Sequence, residues 1–135
     1  MAESMQVEVV SAQQVVWSGQ SSSVIAKTTE GEIGILAGHS PVLAVLEPSA
    51  VVILGDDGSR EIVAVDGGFI SVAQGKVWIL SQEAVMGEEV SLDKAQREAA
   101  ELRKLQDQGD ASEDQIHHLH ILHAQIRAGE RVREA

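Results

Sequence analysis

The sequence predicts a β-sandwich of about ten strands followed by a C-terminal antiparallel two-helix hairpin, an all-β domain carrying an α-helical appendage. Three observations carry that expectation. Before Gly87, short runs rich in Val and Ile are punctuated by Gly, Asp, Ser and Pro at intervals of about eight to twelve residues. Beyond Ser91 the apolar residues recur at helical spacing. The chain has 135 residues and no cysteine, a length that builds one core without staples. The division predicts an N-terminal sandwich over 1–87 and a helical hairpin over 88–135.

The strand-like runs are Gln6–Val10, Val15–Gly19, Ser23–Thr28, Glu32–Leu36, Leu43–Leu46, Ala50–Leu54, Arg60–Val65, Phe69–Val72 and Lys76–Leu80. Asp56-Asp57-Gly58 and Ala73-Gln74-Gly75 each offer a residue that tolerates positive φ, so each is expected to close a hairpin. Ala50–Leu54 and Ile62–Val65 are apolar on both faces, which suits strands inside a sandwich. In the C-terminal third, 91-SLDKAQREAAELRKLQ-106 lacks Gly and Pro and opens on a Ser suited to an N-cap. Leu92, Ala95, Ala99, Leu102 and Leu105 form its apolar stripe. Gln108-Gly109-Asp110-Ala111 reads as a turn between antiparallel helices. Ser112 and Gln115 then make a capping box, Ile116, Leu119, Leu122 and Ile126 form the second stripe, and Gly129 is the expected helix stop.

Composition removes several function classes. A formal charge of −11 repels nucleic-acid phosphates and anionic head groups, although seven of the ten basic residues lie beyond Gly87. Three aromatics, Trp17, Phe69 and Trp78, are too few for base-stacking platforms or aromatic cages. The longest apolar runs, Val42–Leu46 and Ala50–Leu54, are too short to span a bilayer, and Met1–Val10 lacks the basic start and apolar stretch of a signal peptide. The expectation is a protein that stays on the side where it is made, without direct membrane insertion.

No motif points to catalysis or to a cofactor. Gly68-x6-Gly75-Lys76-Val77 has the wrong spacing for a phosphate loop and leads into a strand, and Gly31, Gly34 and Gly38 do not fit a dinucleotide fingerprint. His39-Ser40-Pro41 is no nucleophile elbow. His117, His120 and His123 spread over roughly 120° of a helix surface, with no carboxylate or Cys completing a set, so no metal site is expected. A histidine cluster there would nevertheless bias helix docking near neutral pH. Asp93 and Arg97 are expected to form an i,i+4 surface ion pair. On the residues alone, a free-standing β-sandwich ligand-binding module with a helical cap remains the alternative.

The segment 29-TEGEIGILAGHSPVLAVLEPS-49, with 65-VDGGFISV-72 and the opening 7-VEVVSAQQVVWSG-19, resembles the epsilon subunit of bacterial and chloroplast F-type ATP synthases. The resemblance implies a non-catalytic rotor subunit on the cytoplasmic side of the cell membrane, or on the stromal side of the thylakoid in a plastid. It implies a sandwich that binds the gamma subunit and rests on the membrane c-ring, with Glu30, Gly31 and Glu32 and nearby His39 facing ring or shaft. It implies a hairpin able to leave the sandwich, reach the alpha/beta head and restrain ATP hydrolysis, with Arg127, Arg131 and Arg133 the candidate contacts by position; on the residues themselves, Gly87 and Gly109 are the natural pivots for such a movement. Some members bind ATP through a Leu/Ile-Asp-x-x-Arg-Ala motif. Here Leu92-Asp93-Lys94-Ala95-Gln96-Arg97 puts Gln96 at the Arg position and turns Arg97 by about 100°, so the motif is broken.

Overall fold

A computed structural model describes residues 4–133. Eight strands are formed among them: β1 (Met5–Val10), β2 (Val15–Ser21), β3 (Ser23–Thr28), β4 (Gly31–Leu36), β5 (Val42–Leu54), β6 (Arg60–Ala73), β7 (Lys76–Leu80) and β8 (Ala84–Met86). A 3-10 turn over Gly87–Glu89 leads into α1 (Leu92–Asp107) and α2 (Glu113–Arg133).

The nine runs give eight strands, below the expected ten, because two pairs of runs fuse while β8 lies outside every run read from the sequence. Leu43–Leu46 and Ala50–Leu54 become the single strand β5, and Arg60–Val65 and Phe69–Val72 become β6. These two long strands pair antiparallel from Val42↔Val72 to Leu54↔Arg60. The hydrogen-bonded order is β2-β1-β7-β6-β5-β3-β4. β7 pairs with the C-terminal half of β6, whereas β8 pairs with its N-terminal half. Thus β5 and β6 serve both layers. They change layer at Pro48, Gly67 and Gly68, where the inward-facing parity also changes. Val63 and Val65 point into the core on one side of the break, and Ile70 and Val72 on the other. Gly67 and Gly68 have φ of 110° and 105°, and a Cβ on Gly68 would overlap the Leu80 carbonyl oxygen, so this corner requires glycine.

One core fills the space between the layers, built from Val7, Val9, Val24, Ile35, Val51, Ile53, Val63, Val65, Ile70, Val77 and Ile79 with their neighbours. The two foreseen hairpin turns are present, with Gly58 at φ 84° and Gln74-Gly75 at 52° and 75°. The doubly apolar stretches of β5 and β6 have a different cause from the one expected. Val51, Val63 and Val65 face the core, while Ala50, Ile62 and Ala64 face outward and pack around Ala128 of α2.

The hairpin lies folded on this outer face. α2 packs on β5, β6 and the 3-10 turn, and α1 packs chiefly on α2. The capping box forms as expected: Ser112 N–H donates to Gln115 Oε1 at 2.9 Å and Gln115 N–H to Ser112 Oγ at 3.1 Å. At the end of α1, Gly109 (φ 76°) and Asp110 donate their N–H groups to the carbonyls of Gln106 and Leu105, the paired bonds of a Schellman stop. Ser91 occupies the N-cap of α1 with extended backbone, but its hydroxyl makes no capping bond. Gly129 does not stop α2, which continues to Arg133. Instead it lies buried where a Cβ would come within 3.0 Å of Leu92 Cδ2, so it sets how closely the two helices cross.

Candidate interaction surfaces and the seat of the hairpin

The outer face of the sheet carries an apolar ladder whose members are cross-strand partners. Val45 of β5 faces Phe69 of β6, Phe69 faces Leu80 of β7, Leu80 faces Val10 of β1, and Val10 faces Val15 of β2. Leu43 extends the row along β5. The alternation is regular here, so Leu46, Ile70 and Ile79 enter the core while their neighbours point away from it. Leu43 is 71% exposed, Val15 57%, Phe69 48%, Val45 46% and Leu80 44%. Five strands at about 4.8 Å spacing make a row about 19 Å across. Its border is polar. Lys76 lies 4.6 Å over the Trp78 ring and 3.7 Å from the Glu8 carboxylate. On the other side Ser81 Oγ donates to Asp66 Oδ1 at 2.6 Å and accepts the Asp66 N–H at 3.2 Å. Asp66 Oδ1 also accepts the Glu83 N–H, pinning the end of β7 beside a shallow groove of about 400 Å³ that contains Phe69, Leu80 and Gln82.

Glu30, Gly31 and Glu32 lie at the β3–β4 turn, all exposed. Thr28 Oγ1 donates to the Gly31 carbonyl at 2.7 Å and accepts the Glu30 N–H at 3.1 Å, and Gly31 has φ 122°. His39 follows the opposite end of β4. Its ring donates Nδ1–H to the Ser40 carbonyl at 2.7 Å. A six-residue strand separates the two groups, about 20 Å, so they do not form one cluster. Glu32 instead shares a small cleft of about 190 Å³ with Lys27, Arg127 and Arg131, between β3, β5 and α2. Arg127 and Arg133 are exposed and Arg131 is half-buried. Arg127 and Arg131 thus border the contact of α2 with the sandwich.

Leu92 is buried against Gly129. Asp93 and Arg97 pair at 2.9 Å, both exposed, as their spacing suggests. Gln96, not Arg97, reaches the groove between the helices, which has a volume of about 360 Å³ and also contains Arg103, Lys104, Asp107, His123 and Ile126. His117, His118 and His120 are exposed, with His118 Nε2 3.3 Å from Glu98 Oε2. His123 is half-buried, and burial holds its imidazole below the ordinary value, reinforced by Arg103, His120 and Arg127.

Gly87 is buried at the foot of the hairpin. A Cβ there would lie 2.7 Å from Val132 Cγ2, 2.9 Å from the Ala128 carbonyl oxygen and 3.2 Å from that of Ile62. Gly109 sits at the far tip, between the helices. Sequence reasoning missed three features of this seat: Arg60, whose Nη2 donates to the Arg131 carbonyl; the second buried face of α2, Ile121, Ala124 and Ala128; and the packing of Gly129. The 121/124/128 spacing was present as a signal, but it emerges only when one helix is asked to contact two neighbours.

Residues 4–87 match the family described as ATP synthase, Delta/Epsilon chain, beta-sandwich domain. The chain is 45% identical over 132 residues to the ATP synthase epsilon chain of Cutibacterium acnes, covering 92% of this chain and 90% of that one. It is 38% identical over 135 residues to the ATP synthase epsilon chain of Streptomyces coelicolor, covering 100% and 98%. Its fold is similar to that of a chain in the cryo-EM structure of the Euglena gracilis mitochondrial ATP synthase, with TM-score 0.79 and 22% identity over 96% of this chain and 82% of that one.

Proposed function

The chain belongs to the ATP synthase epsilon chain family, and from that premise we propose that it is a non-catalytic rotor subunit of a proton-translocating F-type ATP synthase. The sandwich joins the gamma shaft to the membrane c-ring, and the hairpin restrains ATP hydrolysis by engaging the alpha/beta head. The protein sits peripherally, on the cytoplasmic side of the cell membrane. Among the described residues no helix is long and apolar enough to cross a membrane.

The observation that carries this reading is the exposed apolar ladder from Leu43 and Val45 through Phe69 to Leu80. A contiguous apolar row with a charged border is what a permanent partner covers, because it is costly to leave in water. We assign it to gamma. The turn at Glu30–Glu32 is assigned to the polar loops of the c-ring, for which an exposed, backbone-fixed acidic turn supplies charge without apolar area. Transmission of torque then needs no chemistry from this chain, only a stiff body gripped by two partners, and the shared β5–β6 pair supplies that stiffness across both layers.

The test is a pull-down from membranes. The wild-type chain recovers gamma, beta and c subunits. Phe69→Glu puts a carboxylate into the centre of the ladder and is expected to lower gamma recovery by at least about tenfold, since burying one large apolar side chain contributes roughly 1.5–3 kcal/mol. Its melting transition should change little, Phe69 being half exposed. Undiminished gamma recovery by Phe69→Glu would remove the ladder as the gamma surface, and failure of the wild type to recover any synthase subunit would favour the free-standing module.

A further inference from the structure

The groove at the end of β7 is built by three segments that the backbone ties together. Ser81 N–H donates to the Val10 carbonyl at 3.0 Å and Ala12 N–H to that of Gln82 at 3.3 Å, while the Asp66 N–H is shared between the Glu83 carbonyl and Ser81 Oγ, 3.2 Å from each. The walls are apolar, supplied by Val10, Ala12, Phe69 and Leu80, and Asp66 is the one charged residue lining the groove. Its carboxylate is fixed through a single oxygen. Oδ1 accepts from Ser81 Oγ at 2.6 Å and from the Glu83 N–H at 3.2 Å, whereas Oδ2 has no partner among the described residues. Ser81 is buried, so the anchor of that carboxylate is held from below. A half-buried carboxylate between apolar walls, with one oxygen unspent, is half of a charge pair.

We propose that this groove receives a basic side chain of the partner that covers the apolar ladder, its aliphatic stem lying along Phe69 and Leu80 and its cation meeting Asp66 Oδ2. The inference rests on the assignment of the ladder to gamma and deepens it, by naming the chemistry of the gamma residue that enters here. Continuity favours it: Val10, Phe69 and Leu80 are at once groove wall and ladder, so whatever covers the ladder also closes the groove. Charge favours it as well, because an apolar or acidic occupant would bury the carboxylate unpaired, and the formal charge of −11 on the chain draws a cation toward it. Lys and Arg carry an apolar stem and a charged head, the same order as the walls and the carboxylate. Asp66 then sets the register of docking. Apolar contact is non-directional and tolerates sliding along the strands, whereas one fixed carboxylate at the edge of the ladder admits the partner in one position.

Asp66→Asn keeps an acceptor for Ser81 and Glu83 and removes the charge. The full-length chain, wild type or variant, is titrated at low and high salt onto a synthase catalytic complex that retains gamma and has been stripped of its epsilon subunit. Asp66→Asn is expected to weaken binding about tenfold at low salt and to flatten the salt dependence, with an unchanged melting transition. Gln82→Lys, at an exposed position of the same groove, supplies a competing cation without touching the bonds to Ser81, and should weaken binding about threefold; if Asp66→Asn lowers the Tm, this variant carries the test. The partner residue is found by replacing the basic residues of gamma singly with Met. One replacement should weaken binding of the wild type about tenfold and leave that of Asp66→Asn as it was, the signature of a coupled pair. Undiminished affinity of either variant, or a set of gamma replacements that all act equally on wild type and Asp66→Asn, overturns the pairing and leaves the ladder in place. Undiminished gamma binding by Phe69→Glu removes the ladder assignment itself, and the pairing with it.

Discussion

His123 faces the groove between the helices, where Arg103, Lys104 and Asp107 approach from α1 and His120 and Arg127 flank it on α2. Burial first, and then the neighbouring cations, depress its folded pKa below about 6.5. The unfolded chain therefore binds this proton more readily, and the stability it confers is fully present above the unfolded value and is lost as pH falls from there through the folded value. The hairpin is accordingly expected to loosen between neutral and mildly acidic pH, read as faster hydrogen exchange of the α2 amides, and His123→Gln should remove part of that change. Glu61 works in the opposite sense: burial and then the Glu88 carboxylate raise its pKa, so its contribution weakens as pH rises through the carboxylate range, and Glu61→Gln should abolish it. A second contrast lies between two glycines of positive φ. Gly68→Ala meets the Leu80 carbonyl and should cost about 2–4 kcal/mol in urea unfolding, whereas Gly31→Ala has nothing within 4 Å and should cost about 1 kcal/mol, from backbone strain alone. Both glycines were visible in the sequence. Which one sits against another backbone was not, because that depends on where β7 passes.

Among the elements, α2 is the one with two commitments. Leu119, Leu122 and Ile126 face α1, while Ala128 is sealed against the sheet. The stripe for α1 was legible because it is made of large residues at helical spacing; the stripe for the sheet was concealed by alanine, whose apolar signal is weak. Gly129 misled for a related reason, since a glycine near a helix end is more often a stop than a close crossing. Similarly, Pro48 and the Gly67-Gly68 pair looked like strand ends, but they are a corner within continuous strands. The independence of the two units yields a prediction. Ending the chain after Met86 leaves the main core complete, since it lies entirely within β1–β8, so the truncated protein is expected to retain gamma binding and proton-coupled ATP synthesis. Any epsilon-dependent restraint on ATP hydrolysis should vanish. Charge reversal at Arg127, Arg131 and Arg133 should weaken the restraint without altering assembly, measured as hydrolysis by reconstituted enzyme. Loss of gamma binding on truncation would make the hairpin an assembly element.

At the scale of the whole molecule, the nucleotide question becomes a stability question. Arg97 is held outward by Asp93, and Gln96 takes the place in the helix groove. A ligand at about 100 times its dissociation constant adds roughly 2.7 kcal/mol, an easily seen rise in Tm; for this chain no rise is expected with ATP at physiological concentration beyond that with buffer-matched phosphate. The overall architecture of sandwich then hairpin was legible because turn spacing and helical period are local properties. The docking of one on the other was not, because it is set by residues far apart in the chain, such as Arg60 and Arg131. The same separation governs how the sandwich comes into being. β5 and β6 meet across the short turn at Asp56-Asp57-Gly58, whereas β1 finds its parallel partner β7 some seventy positions later, Gln6 opposite Lys76. Loop closure of that span is slow and entropically costly. During synthesis the β1–β2 ribbon has to wait for β7 to emerge, while the β5–β6 pair can already zip. Mutations such as Val51→Ala and Val63→Ala should therefore slow refolding, and Val7→Ala should chiefly speed unfolding, so that a single chevron series on the isolated chain orders the two events.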